Sequence, residues 1–236
     1  MKKLLILISL TAMIGSPQAT AQETSVTDLD PNHLVRGIEF GAGYYVVQGL
    51  NFKYAAGTTD VEESYDGGSS ASFLLRYSKI VEEGFGFNIG AVFELPRTFK
   101  GVTVKTETGE MNVTESSQFS NFVIEANATF SFERAYVFLG PNYSMPFSVG
   151  GFRGAAFGGD FGGQGGIGWP IGTGLSNLDF GGGRITIELA VQYYRYFVKD
   201  YRVQANVVGG GSQFVDITTD DGSMTGGSLR LLYNFP

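Results

Sequence analysis

Cysteine is absent from this chain, which excludes a disulfide framework, a thiolate metal site and the lipid anchor that requires a Cys at a mature N-terminus. Charge is scarce: Asp, Glu, Lys and Arg make up 17% of the residues, against about 25% in an ordinary soluble domain. The charge that exists leans acidic, with a formal net value of -7, so nucleic acid is not an expected partner. Long apolar runs are missing too. After residue 21 no segment stays apolar for the ~20 residues that a membrane-spanning helix needs. No helical repeat and no second domain can be traced.

Aromatic residues, by contrast, reach 14% of the chain, and glycine contributes 35 residues at a mean hydropathy of +0.04. Few charges with many aromatics and glycines suit a transmembrane β-barrel, where lipid-facing and lumen-facing residues alternate. Residues 1–21 read as a secretory signal peptide. Lys2 and Lys3 precede an apolar run from Leu4 to Ile14, and Ala19-Thr20-Ala21 offers cleavage near Ala21. Its removal takes away two lysines and no acids, leaving a net charge of -9. Residues 22–33 are expected to be a periplasmic lead-in, and residues 34–236 an outer-membrane barrel domain.

Two-residue alternation recurs about eight times. The first expected strand, 34–47, sets Ile38, Phe40, Ala42, Tyr44 and Val46 against Glu39, Gly41, Gly43 and Tyr45. The second, 70–79, sets Phe73, Leu75 and Tyr77 against Ser72, Leu74 and Arg76. A third runs from Phe85 to Leu95 and carries Glu94, with Pro96 expected to end it because proline cannot donate to a sheet ladder. The fourth ends at Phe132 and carries Glu125. In the fifth, 135–147, both faces start apolar and the parity stays open. The sixth, 184–197, carries Glu188 and is followed by an expected turn at Lys199-Asp200. The seventh starts at Tyr201, carries Arg202 and extends past a bulge at Gly209-Gly210-Gly211. Asp220-Asp221-Gly222 reads as the hairpin tip before the eighth, which carries Arg230.

Three segments read as outer loops: 48–68, 96–116 and 148–183. The last holds fifteen glycines in 36 positions, too many for an ordinary strand interior. Long and short connections then alternate, as in bacterial outer-membrane barrels with long outer loops and tight periplasmic turns. The expected fold is all-β: a transmembrane, antiparallel, up-and-down barrel of eight strands, or ten if the glycine-rich segment holds a hairpin.

In the last strand Leu229, Leu231, Tyr233 and Phe235 share one face. With the signal peptide, the alternating segments and the loop rhythm, residues 34–235 resemble the OmpA/OmpX-like family of small outer-membrane barrels. The resemblance implies a bacterial outer-membrane location. It also implies that Leu229, Leu231, Tyr233 and Phe235 belong to the signal read by the barrel assembly machinery, although Pro236 replaces the usual final Phe. It implies no activity, because one scaffold hosts many functions.

Glu39, Glu94, Glu125 and Glu188 fall on the expected lumen face, with Arg76, Arg202 and Arg230 across from them. Enclosed charges need partners, so these seven are expected to form an ion-pair plug in a lumen just wide enough for side chains. Catalysis has little support. The single histidine, His33, lies in the lead-in, far from the outer rim where a lipid hydrolase would want it. Gly163–Gly168 matches GxGxxG but precedes Trp169-Pro170 instead of a helix, so no dinucleotide site is expected. Acids at 60–66, 107–115 and 216–221 fit no defined calcium loop, and neither a metal nor a cofactor is expected. The expected function is non-enzymatic, in envelope structure or surface interaction, with outer-membrane lipids and lipopolysaccharide as partners and an extracellular ligand left open. The alternatives are a narrow porin-like channel for small solutes and a soluble lipocalin-like barrel that would turn its aromatics inward.

Overall fold

The computed structural model describes residues 37–56, 59–82, 84–132, 135–150, 156–171, 184–207 and 211–235. The expected signal peptide, the lead-in with His33, and residues 34–36 lie outside them.

Nine strand segments follow one another: β1 (Gly37–Ala56), β2 (Thr59–Asp66), β3 (Ser69–Glu82), β4 (Phe85–Thr106), β5 (Gly109–Phe132), β6 (Ala135–Gly150), β7 (Ala156–Ile171), β8 (Arg184–Val207) and β9 (Gly211–Asn234). Every paired neighbour is antiparallel, and β9 pairs with β1 to close the sheet. β2 and β3 share both of their neighbours. β2 pairs with the far halves of β1 and β4, and β3 with their near halves. They form one stave interrupted at Gly67-Gly68, where the Val47 N–H donates to the Gly68 carbonyl at 2.9 Å. The wall is therefore an up-and-down barrel of eight staves. Gly37 and Asn234 mark its near end; the β1–β2, β4–β5, β6–β7 and β8–β9 connections mark its far end.

The number of staves matches the expected eight, but several strands differ from those read in the sequence. β7 lies inside the segment expected to be the longest loop. Its glycines are tolerated because bulky neighbours need the space: a Cβ on Gly168 would overlap the Tyr136 ring, and one on Gly166 would meet the Phe138 ring. Conversely, the expected sixth and seventh strands join. β8 runs through Lys199-Asp200 with only a register shift between Val198 and Tyr201. Residues 208–210, between β8 and β9, lie outside the described residues, and Asp220-Asp221-Gly222 lies within β9, opposite Lys53 and Phe52. Pro96 does not end β4 but sits in a bulge, where the residues paired on either side are Glu94 with Asn121 and Arg97 with Phe119. The expected polar loops 48–68 and 96–116 are hairpins whose ladders satisfy their own backbone groups. Residues 151–155 and 172–183 of the expected longest loop lie outside the described residues.

Strands of 20 to 24 residues are far longer than the ~9–11 that cross a bilayer. The alternation changes meaning along their length. In the near half Ile38, Phe40, Leu75, Ile89, Leu189, Leu229 and Leu231 are exposed, while Glu39, Arg76, Asn88, Glu125 and Glu188 are buried inside. Aromatic pairs flank this apolar belt: Tyr77–Phe87 and Tyr233–Phe235 toward the near end, Phe93–Phe147 and Tyr143–Phe161 toward the far end. In the far half the order inverts. Leu50, Phe52, Tyr65, Phe99, Val102, Phe119 and Tyr196 are buried inside, and Gln48, Asn51, Lys53, Lys100, Asn112 and Gln118 are exposed outside. The far half is built like a water-soluble sheet around its own core, with roughly 1.5–3 kcal/mol gained per large side chain buried. A lipocalin-like barrel would be apolar inside throughout, which the charged interior of the near half contradicts.

Candidate functional site

The interior of the near half is the densest polar cluster among the described residues, and all eight staves contribute to it. β1 supplies Glu39, β3 supplies Arg76 and Ser78, β4 Asn88, β5 Glu125 and Asn127, β6 Tyr136, β7 Gln164, β8 Glu188, and β9 Ser228 and Arg230; each is almost fully buried. Arg76 stands at the centre. Its Nε donates to Glu39 at 2.6 Å, its Nη1 to Glu188 at 2.7 Å and its Nη2 to the Tyr136 hydroxyl at 3.2 Å. Tyr136 in turn donates to Glu188 at 2.5 Å, and Ser78 donates to Glu39 at 2.7 Å. Arg230 reaches across from β9 to Glu125 on β5 at 3.2 Å and lies 3.6 Å from Glu188. Gln164 donates to Glu125 at 2.8 Å and to Asn127 at 3.1 Å, and Asn127 donates to Asn88 at 2.7 Å. Three carboxylates thus meet two guanidiniums in a ring of bonds that crosses the lumen. Removing one member of such a buried set leaves a charge uncompensated, at about 3–5 kcal/mol.

A second tier lies farther along the axis. Glu94 and Arg97 form an ion pair inside β4, and the Tyr194 hydroxyl donates to Glu94 at 2.8 Å. The Arg97 guanidinium packs over the Tyr45 ring, 4.7 Å from its centroid, with the Phe119 ring at 5.8 Å. Cation–π contacts away from water stabilise such a cation further. Past this tier the interior is the aromatic core of the far half, where Phe119, Phe157 and Tyr196 pack edge to face.

Of the seven lumen residues expected from the sequence, Glu39, Arg76, Glu125, Glu188 and Arg230 meet in the first tier, and Glu94 lies in the second. Arg202 does not join them: its side chain lies outside the described residues, and its backbone pairs with Asp216, about 45 Å along β8 from Glu188. Ser78, Asn88, Asn127 and Ser228 add smaller polar groups to the first tier, and three larger participants, Arg97, Tyr136 and Gln164, fall outside the expected set. Arg97 was hidden by the bulge at Pro96, which shifts the parity by one residue. Tyr136 was hidden by the doubly apolar start of β6 and Gln164 by the glycines around it, whereas Tyr194 shares with Glu188 the face of its strand that the sequence assigns to the lumen. Leu229, Leu231 and Phe235 are exposed on the outer face, with Tyr233 half-buried between them. Gly163–Gly168 lies within β7, and the next described element is the strand β8. Among the described residues no group of three or more His, Cys, Asp or Glu is placed to hold a metal ion.

No protein-family model matches the chain. No curated protein matches it either. Among solved structures, the chain is similar to the outer membrane protein OprG from Pseudomonas aeruginosa, at 13% identity and a TM-score of 0.46, over 85% of this chain and 98% of that one. It is also similar to the outer membrane protein AlkL, at 10% identity and a TM-score of 0.40, over 94% and 96%. A FadL homologue from Pseudomonas aeruginosa matches more loosely, at 8% identity and a TM-score of 0.22, over 84% and 90%.

Proposed function

We propose that this protein is a non-enzymatic, integral barrel of a bacterial outer membrane, closed to ions along its axis and acting through the sheet that it raises above the membrane. The observation that carries this reading is the Arg76–Glu188–Glu125–Arg230 set, whose bonds run from wall to wall beneath the apolar belt. An ion crossing the lumen would have to break several buried, charge-assisted hydrogen bonds at once. The exposed apolar belt with its aromatic borders supports lipid on the outside, and both ends of the described chain at the near end support a periplasmic near end. The test is single-channel recording in planar bilayers with refolded protein whose folding has been checked by a heat-dependent gel shift. The reading expects no steady unitary currents. Reproducible current steps from folded protein would sink it in favour of a channel.

A further inference from the structure

The outer face of the far half carries a polar trough that the lumen does not explain. Two clefts of about 210 and 340 Å³ meet at Asp66 and Thr103 and cross β9, β1, β2, β4 and β5. Thr225, Asn51, Asp66, Lys100, Thr103 and Asn112 supply its chemistry. The hydroxyls, amides, carboxylate and ammonium form a mixed donor and acceptor surface. Within it Thr103 donates to the Asn112 side chain at 2.7 Å, which fixes one wall. Its location limits what it can meet. On β1 the trough begins at Gln48, two residues past Val46, an exposed apolar residue of the belt. On β4 Lys100 is seven residues past Phe93, at the edge of the same belt.

From this placement we infer that the trough binds the sugar head of an outer-leaflet glycolipid whose acyl chains lie against the belt below. The inference rests on the proposed membrane-spanning reading. A saccharide presents hydroxyls that both donate and accept, which Asp66, Asn51, Asn112 and Thr103 can match, while Lys100 meets an acidic sugar or a phosphate on the same head. A phospholipid head is too small to span clefts on five strands, and an apolar ligand would leave these groups unpaired.

The experiment uses the full mature chain refolded in detergent, with insertion into nanodiscs and the heat-dependent gel shift as prior checks. Lipid A bearing two core sugars, lipid A without them, phosphatidylglycerol, and the free core oligosaccharide are titrated separately, with native mass spectrometry as the readout. The triple variant Asp66→Ala, Lys100→Ala, Asn112→Ala changes only outward side chains. The expected result is that the wild type prefers sugar-bearing lipid A over both other lipids by about tenfold, and that the variant loses this preference while keeping its gel shift. Equal binding of all three lipids by inserted wild-type protein would overturn the inference, as would a preference unchanged in the variant. Equally tight binding of the free oligosaccharide would overturn the glycolipid as the occupant. Failure to insert or to shift on the gel would instead overturn the membrane reading beneath it.

Discussion

Arg76 shows how one side chain organises the interior of the near half. It is fully buried and shares its donors among Glu39, Glu188 and Tyr136, so its removal takes from Glu39 its ion-pair partner and leaves Glu188 with Arg230 alone. Arg76→Ala is expected to cost about 3–5 kcal/mol, read as a lowered urea midpoint of the gel-shifted form. Arg76→Met combined with Glu188→Gln should recover part of that loss, because fewer charges are left buried without partners. The same paired logic applies to Gly168 and Tyr136. Gly168→Ala places a Cβ against the Tyr136 ring and is expected to destabilise the protein by about 1–3 kcal/mol. In a Tyr136→Ala background the same substitution should be nearly neutral. A coupling near zero in that double-mutant cycle would mean that the glycine serves some need other than room for the ring.

At the scale of the element, the bulge in β4 decides which residues enter the lumen. From Glu94 to Arg97 β4 takes three steps while β5 takes two, from Asn121 to Phe119. Deleting Pro96 would remove the extra residue and leave both Glu94 and Arg97 pointing inward. The deletion is therefore expected to fold and keep its gel shift. A chain that no longer folds would show that the bend itself is required. The legibility of the strands followed the same physics. The near halves of β1, β3, β4 and β5 could be read in the sequence because each carries an apolar residue at every second position, with most of the polar residues between. β7 could not, because its glycines lack side chains to alternate and its role is to make space for Tyr136 and Phe138. β8 and β9 were divided wrongly because Lys199-Asp200 and Asp220-Asp221-Gly222 have the composition of turns. Their backbones instead continue a ladder that one long partner strand supports on each side. The ionic tier was legible where a charge interrupts an apolar strand, as at Glu39, Arg76 and Glu188. It was not legible at Arg97, where the register shifts.

For the whole molecule, the inversion of inside and outside between the two halves is the organising fact. The near half encloses its buried charges behind an apolar belt, and the far half encloses an aromatic core behind polar groups, so on the proposed membrane-spanning reading the boundary between them sets how deep the barrel sits. The far half should behave as an independent core. Phe119→Ala is expected to cost about 3–5 kcal/mol in urea, with no change in partition into membranes, since Phe119 never faces lipid. Orientation of the belt is what every larger claim depends on, and the chain carries one probe for it. Trp169, its single tryptophan, lies on β7 with its side chain exposed on the outer face near the aromatic border. The decisive measurement is fluorescence of Trp169 in refolded, gel-shift-positive protein reconstituted in bilayers whose acyl chains carry bromine at defined depths. A belt that faces lipid predicts strong quenching, greatest for bromine close to the head groups. Unquenched emission that aqueous iodide also fails to reach would place Trp169 inside the protein and contradict the account.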